Sequence, residues 1–526
     1  MKIKIASLAA TLAVFAGLLA TPVAAQQLTV GAATIPSIDP HFAYFVSNVA
    51  YAKHVFGTLT HVDKGKLKGD LALSWRSVNP TTWEFKLRPN VKFHDGSPFS
   101  AEDVAFSLTR VVKIPNSPVQ YASLLSSYKE VQVVDPLTVR LITSAPEPLL
   151  PNALAWIAIV SKKVAENLST ADFSSGKGVI GTGPFKFAAY VPGERYEVVR
   201  NDEYYGTKPA WQKVVFRIIT QDSSRIAALL AGDVDLIEAV PPGELPKLRE
   251  NKNLSVHAGS SDRVFILFFN LARDTIPSLV DKQGKPLTKN PFKDVRVREA
   301  MSLALDRKAI VARVMDGAAT VINQMTYPDA AGYNHDLPEL ATDPVKAKRL
   351  LTEAGYPDGF GLTVYCSNDR YPNDGRICQT VGQMLARIGL EVKVDAQPKA
   401  VFFGKVLTPP GEYAFGMIGV GDSSGGEGSS ILNAALHTRN AASKSGLLNA
   451  SGYSNPQLDQ RVTALGSEFD PVKRAEITRG AMALAAKDYP YLTLFVGSVL
   501  AASKKNIAFN VRVDEMTLAQ EAQPVK

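Results

Sequence analysis

Gly421-Asp-Ser423-Ser-Gly425 follows the Gly-x-Ser-x-Gly pattern, in which a sharp strand-to-helix turn lifts a serine hydroxyl clear for nucleophilic attack. The preceding Ala414-Phe-Gly-Met-Ile-Gly-Val420 is apolar enough to be the strand this requires. Such a serine needs an acid and then a histidine further along, to orient and accept its proton. Downstream of Ser423 the only histidine is His437, and Glu427 is the sole carboxylate between them. That is very compact for a triad, so a secreted serine hydrolase built on Ser423 is a minor alternative. Ser126-Ser-Tyr-Lys129 matches Ser-x-x-Lys but lacks the accompanying Ser-Asp-Asn and Lys-Thr-Gly segments. Among His41, His54, His61, His94, His257, His335 and His437, no two stand three or four apart, the spacing that sets two ligands on one helix face. No phosphate-cradling Gly-x-x-x-x-Gly-Lys-Ser/Thr loop occurs. The sequence therefore asks for no cofactor and no protein-bound metal. His437 alone could help to hold a chelated one.

The elements that must position these residues are mixed. Trp83, Phe85 and Leu87 alternate with Glu84, Lys86 and Arg88, the period of a half-buried strand. A turn at Asp95-Gly96 follows. Ser100 then caps a predicted helix with Glu102 and Asp103 in its first turn and Val104, Leu108, Val111 and Val112 along one face. A second helix runs from Asp343 as cap, through Pro344 at the first helical position, to Gly355 as the stop. A third spans Val295 to Leu305, with Asp306 capping another that stops near Gly317. A further helix over 379–388 leads into a short strand at Leu390–Val394. Helix followed by strand is an α/β unit.

The chain has 526 residues, 46% hydrophobic and 21% charged, which suits a globular protein and excludes a disordered or fibrous one. Its net charge of +8 is scattered, not gathered into the stripe that nucleic acid would need. Residues 1–25 read as a cleavable signal peptide: Lys2 and Lys4, an apolar run from Ala9 to Ala20, and Val23-Ala24-Ala25 before the cut. The run is shorter than a bilayer span, and no cysteine follows the cut to carry a lipid. Cleavage would remove two lysines, lowering the charge to +6, and release the product into an extracytoplasmic, periplasmic space. An oxidising compartment would let Cys366 and Cys378, twelve positions apart, form a disulfide; two buried thiols are the equal alternative.

Taken together, Trp83 to Leu108 resembles the signature of family 5 extracytoplasmic solute-binding proteins, the peptide and nickel class serving ATP-binding-cassette importers. Further blocks match in order: Gly181-Thr-Gly-Pro-Phe-Lys-Phe187, Arg200-Asn-Asp-Glu-Tyr-Tyr205, Phe269-Asn-Leu271, Asp294 to Ala300 with Ala304-Leu-Asp-Arg307, and the Asp343 to Tyr356 helix. The resemblance implies an α/β, two-lobed binding protein of type II, in its large form with an inserted subdomain. Lobe I would hold residues 26–50, 176–265 and 489–526, the inserted subdomain 51–175, and lobe II 266–488. Chain crossings near 264–271 and 488–494 would form the hinge. The implied function is capture of short peptides or peptide-like solutes by a monomer, without chemistry on the ligand, and delivery to a membrane permease. Chelated nickel is the alternative within the family.

The resemblance also implies ligand contacts. Arg370 matches the arginine that pairs with the ligand carboxylate in dipeptide and oligopeptide binders; the competing reading is an ion pair with Asp369 or Asp374. Asp422 matches the acid that takes the ligand ammonium, with Glu427 in reserve. Val420 stands where relatives commonly place a tryptophan, which loses a stacking wall. Tyr371 and Tyr44 are candidate pocket aromatics or ordinary packing. Asp39, in the early Asp-Pro element, is expected to hold a turn. The six Gly and Ser residues between Asp422 and Ser430 imply close backbone approach or flexibility.

Overall fold

A computed structural model describes residues 27–525 apart from 64, 407–412, 423, 444 and 450. The predicted signal peptide and Ser423 lie outside the described residues.

The local expectations hold where capping chemistry is explicit. The alternating segment forms the strand Thr82–Leu87, followed by the helix Ala101–Val111. Ser100 N donates to Asp103 Oδ2 at 2.9 Å, closing a capping box that satisfies amides left open at the helix start. Asp343 Oδ1 accepts from Lys346 N at 2.9 Å to start the helix Pro344–Glu353, and Gly355 turns the chain away with φ +90°. Asp306 caps Arg307–Arg313 in the same manner. The next helix begins earlier than expected, at Asp374, because Asn373 takes a left-handed conformation (φ +57°) and turns strand directly into helix.

A mixed sheet of eleven strands runs through the molecule. Its order is Glu391–Gln397, Gly361–Ser367, Phe415–Val420, Leu254–Phe269, Tyr491–Lys504, Leu236–Ile237, Gln27–Ala32, Lys213–Ile218, Arg195–Arg200 and Phe185–Val191, with Ala319–Val321 also paired to Tyr491–Lys504. The strands Gly361–Ser367 and Glu391–Gln397 are parallel neighbours joined through the helix Asp374–Ala386, a crossover that parallel pairing demands. A separate antiparallel sheet, Ala72–Asn79, Thr82–Leu87, Thr138–Thr143 and Tyr128–Asp135, packs against Ala101–Val111 through Phe85, Val104, Leu108 and Leu141.

Two long strands at the centre carry the chain between halves. Leu254–Phe269 pairs antiparallel with Tyr491–Lys504 from Leu254↔Lys504 to Ser260↔Ser498, then again from Val264↔Val496. Ser261, Asp262 and Arg263 fall out of the ladder between these stretches. On one side the buried core draws on segments such as Leu28–Ala32, Phe185, Tyr196 and Phe216; on the other it draws on Phe265–Phe269, Met301, Leu385 and Leu494. No described helix is long and apolar enough to cross a membrane.

Candidate functional site

The break in the long strands is strapped from outside. Ser261 Oγ donates to Glu515 Oε1 at 2.7 Å, Arg263 forks onto the same carboxylate with Nη2 to Oε2 at 2.6 Å, and Asp262 N donates to Val513 O at 2.9 Å. The Arg263 guanidinium holds the Glu515 carboxyl below its usual range against the opposing effect of burial.

Arg370 lies in the turn between Gly361–Ser367 and Asp374–Ala386. Asp374 Oδ2 organises that turn, accepting from Ser367 Oγ at 2.8 Å and from the amides of Arg370 and Tyr371 at 3.2 and 3.3 Å. The Tyr371 hydroxyl donates to Gly419 O (3.0 Å) and accepts from Gly419 N (3.1 Å), while its ring meets Phe265 edge-on at 5.1 Å. A Cβ on Gly419 would stand 3.0 Å from the Tyr371 ring, so a larger residue there would press on the ring. The exposed Arg370 guanidinium lies 4.8 Å from the centre of this immobilised ring. Neither Asp374 nor Asp369 takes it as an ion-pair partner: Asp369 accepts from Lys399 N at 2.6 Å. No carboxylate pairs with the Arg370 guanidinium among the described residues.

The acids expected to receive an ammonium are occupied. Asp422 is buried, and its Oδ1 accepts from Ser424 N (3.0 Å), the Ser424 hydroxyl and Ser430 Oγ (2.6 Å); its Oδ2 accepts from Gly426 N (3.4 Å) and Gly428 N (3.1 Å). Glu427 is spent on Arg474, with Nε to Oε2 at 2.8 Å and both side chains largely buried. The glycine-rich loop they hold is pressed against the other half. Asn152 Nδ2 donates to Ser424 O at 2.8 Å, and a Cβ on Gly426, whose φ is +103°, would stand 2.6 Å from Gly65 O.

Tyr44 belongs to the opposite wall, 5.4 Å from both Tyr121 and Trp156. Burial, with the carboxylates of Asp262 and Asp422 adding to it, pushes its hydroxyl well above the usual range. Val420 is half-buried at the end of its strand, pairs with Val264 and packs on the cluster of Tyr327, Met325 and Ile418. Asp39 holds more than a turn: besides accepting from His41 N, it takes the fork of Arg110 at 2.7 and 3.0 Å.

Two further expectations are corrected or displaced. Cys366 and Cys378 are free thiols, not a disulfide. They sit on adjacent strand and helix in the apolar core of Phe360, Ile377 and Leu385, where burial raises the Cys378 thiol and keeps it neutral. His437 directs Nδ1 to Thr438 O at 2.7 Å, with Asp459 at 3.6 Å, and touches none of the residues above. No group of three metal-ligating side chains occurs among the described residues. Sequence reasoning missed Asp262, Arg263, Trp156 and Glu515. The signal for the first two was a charged pair directly preceding the apolar run Val264–Phe269.

Residues 66–443 match the model for bacterial extracellular solute-binding proteins, family 5. The chain belongs to that family. Curated relatives include the glutathione-binding protein GsiB of Salmonella typhimurium, 28% identical over 510 residues covering 95% of this chain and 94% of the relative, and that of Escherichia coli K12, 27% identical over 481 residues with 90% and 89% covered. Among solved structures, the substrate-binding protein CtaP of Listeria monocytogenes superposes with a TM-score of 0.81 at 21% identity, covering 95% of this chain and all of that one. The DppA protein of Helicobacter pylori, in complex with the peptide STSA, gives 0.73 at 23% identity, covering 95% and 98%. Family 5 proteins capture solutes for ATP-binding-cassette importers, so this chain is the substrate-binding component of such a system.

Proposed function

We propose that this family 5 protein captures short peptides or peptide-like zwitterions between two closing lobes and hands them to a membrane permease. The observation that carries this reading is the Arg370 guanidinium, exposed beside an immobilised ring and without a carboxylate of its own. A guanidinium fork matches a carboxylate in two parallel hydrogen bonds, the geometry a peptide C-terminus offers. The names of the relatives point the same way: one binds glutathione, itself a tripeptide with two carboxylates and one ammonium, and another was solved with a peptide.

The lobes are proposed to be residues 26–50, 176–265 and 489–526 for the first, 266–488 for the second, and 51–175 for a subdomain inserted in the first. The separate apolar cores support this partition, and the break in pairing at Ser261–Arg263 supports a hinge beside the expected crossings at 264–271 and 488–494. Closure over a solute excludes water and strengthens each polar contact inside. The protein works as a periplasmic monomer exported by residues 1–25, and it binds its solute without turning it over. Chelated nickel receives no support from the position of His437.

A native mass spectrum of the mature protein tests the reading. The expected result is an adduct in the mass range of a di- to pentapeptide, lost on denaturation and weakened by Arg370→Ala. A bare polypeptide mass, with no binding from a mixed peptide panel, would overturn it.

A further inference from the structure

Resting on that reading, we infer that Asp262, at the strand break between the lobes, is the anchor for the ligand's ammonium, in place of Asp422. The Asp422 carboxylate receives five donors from its own loop and Glu427 is forked by Arg474, so neither retains a free acceptor array for a ligand cation. Asp262 is the opposite case. Its carboxylate has no hydrogen-bond donor and no ion pair among the described residues, although its own backbone amide is tied to Val513. Its neighbour Arg263 forks Glu515 instead of pairing with it, although the guanidinium stays close enough to favour its charge.

The surroundings suit a cation. A methyl group on Gly421 would stand only 3.2 Å from Asp262 Oδ1, so the carboxylate lies directly against the start of the glycine-rich loop. Tyr44 and Tyr327 both feel its charge, and neither hydroxyl has a hydrogen-bond partner among the described residues. A carboxylate without a donor of its own, with phenolic oxygens in its field, can accept from an ammonium. The Arg370 guanidinium likewise has no ion pair among the described residues, although Glu515 feels its charge. Asp262 and Arg370 thus each lack an ion-pair partner among the described residues, one negative and one positive, like the two ends of a zwitterion.

An unpartnered, half-buried carboxylate is costly, and burial with the nearby Glu515, Asp422 and Asp514 pushes its carboxyl well above the usual carboxylate range against the opposing charge of Arg263. A residue serving packing alone would be better as asparagine. A residue whose charge is completed only when solute arrives explains both the cost and the position at the joint, because binding then favours the closed arrangement.

The test uses calorimetric titration of the mature, ligand-stripped protein with a panel of free tripeptides including glutathione, and with their N-acetylated forms. The assignment expects wild type to bind at least one free-amine tripeptide and to bind its N-acetylated form at least about 30-fold more weakly, the scale for removing one partner of a buried charge pair. Asp262→Asn should lose a similar factor for the free amine, lose little for the acetylated form, and melt no lower than wild type without ligand. Wild-type affinity for the free amine in Asp262→Asn overturns this assignment and leaves the peptide reading standing. The same loss toward amine and acetylated ligands overturns it too, as a merely structural role. Absence of binding by wild type to every peptide overturns the peptide reading and the assignment with it.

Discussion

Arg370 and Asp422 stand in loops at the ends of neighbouring parallel strands of one sheet, yet their charges have opposite fates. Around Arg370 the turn is organised by a different residue, Asp374, whose carboxylate gathers the Ser367 hydroxyl and two backbone amides. The guanidinium is therefore left over. Around Asp422 no such helper exists, and the carboxylate itself collects the amides and hydroxyls of a loop too rich in glycine to hold its own shape. The lesson is that charge becomes available to a ligand only where another group has already satisfied the backbone.

The largest expected effect is on the free side of this contrast. Arg370→Ala should weaken binding of a carboxylate-bearing peptide by about 2–5 kcal/mol, the usual cost of truncating one partner of a desolvated charge pair. Its unfolding midpoint should barely move, because the lost contact is a single exposed cation–π pair of about 0.5–1 kcal/mol. Arg370→Lys should recover only part of the affinity, since an ammonium cannot reproduce the fork. A large loss of stability in either variant would break the contrast.

On the occupied side the expectation is inverted. Asp422→Ala leaves the amides of Ser424 and Gly428 without their acceptor, at about 1–3 kcal/mol per buried group. Urea denaturation should show a loss of about 3 kcal/mol in the ligand-free protein, the sum being tempered by loop relaxation. Affinity should fall as well, through disorder of the loop. A variant as stable as wild type with a selective loss for free-amine ligands would mean that Asp422, not Asp262, holds the ammonium.

How far the sequence discloses this is itself instructive. The helix at Pro344–Glu353 and the capping box at Ser100 are legible because their determinants lie within four residues of each other. Arg370 and Asp422 are legible as candidates because ordered blocks of sequence resemble a family. Their availability is not, because it depends on partners such as Asp374 and the amides of Gly426 and Gly428 that only the folded turn brings together. Asp262 is hidden for another reason: its role arises from a break in pairing with a strand some 235 residues away. The thiols Cys366 and Cys378 show the converse, an inviting pair in sequence that the core keeps as packing.

The glycine-rich loop offers a smaller perturbation that separates docking from binding. Gly426→Ala introduces a Cβ 2.6 Å from Gly65 O on the opposing half and forces a left-handed residue away from its preferred backbone. Overpacking of this kind costs about 1–3 kcal/mol, and here it should appear as weaker binding and a slower-closing lobe in small-angle scattering with and without peptide. Asn152→Ala, which removes the 2.8 Å bond to Ser424 O, should act in the same direction by about 1 kcal/mol. Unchanged closure in both variants would mean that the loop rides on the other half without helping to hold it.

The smallest effect concerns the strap beneath the strand break, where Glu515 is paired with Arg263 and also feels the charge of Arg370. Its folded carboxyl titrates below the ordinary 4.5, the Arg263 charge and hydrogen bonds outweighing burial. A depressed acid contributes stability that is fully present above its unfolded value and disappears as pH falls through the folded one. The difference in unfolding midpoint between wild type and Glu515→Gln should therefore be constant from pH 7 to 5 and shrink below 4.5. Asp262, with its raised carboxyl, has the opposite sign: protonating it relieves the folded state, so Asp262→Asn should gain most over wild type at neutral pH and lose that advantage on acidification. Opposite slopes from two acids joined to the same three-residue break would distinguish the one that holds the hinge from the one that waits for a ligand. Parallel slopes would mean that both carboxylates are structural, and the division between occupied and available charge would end at Arg370.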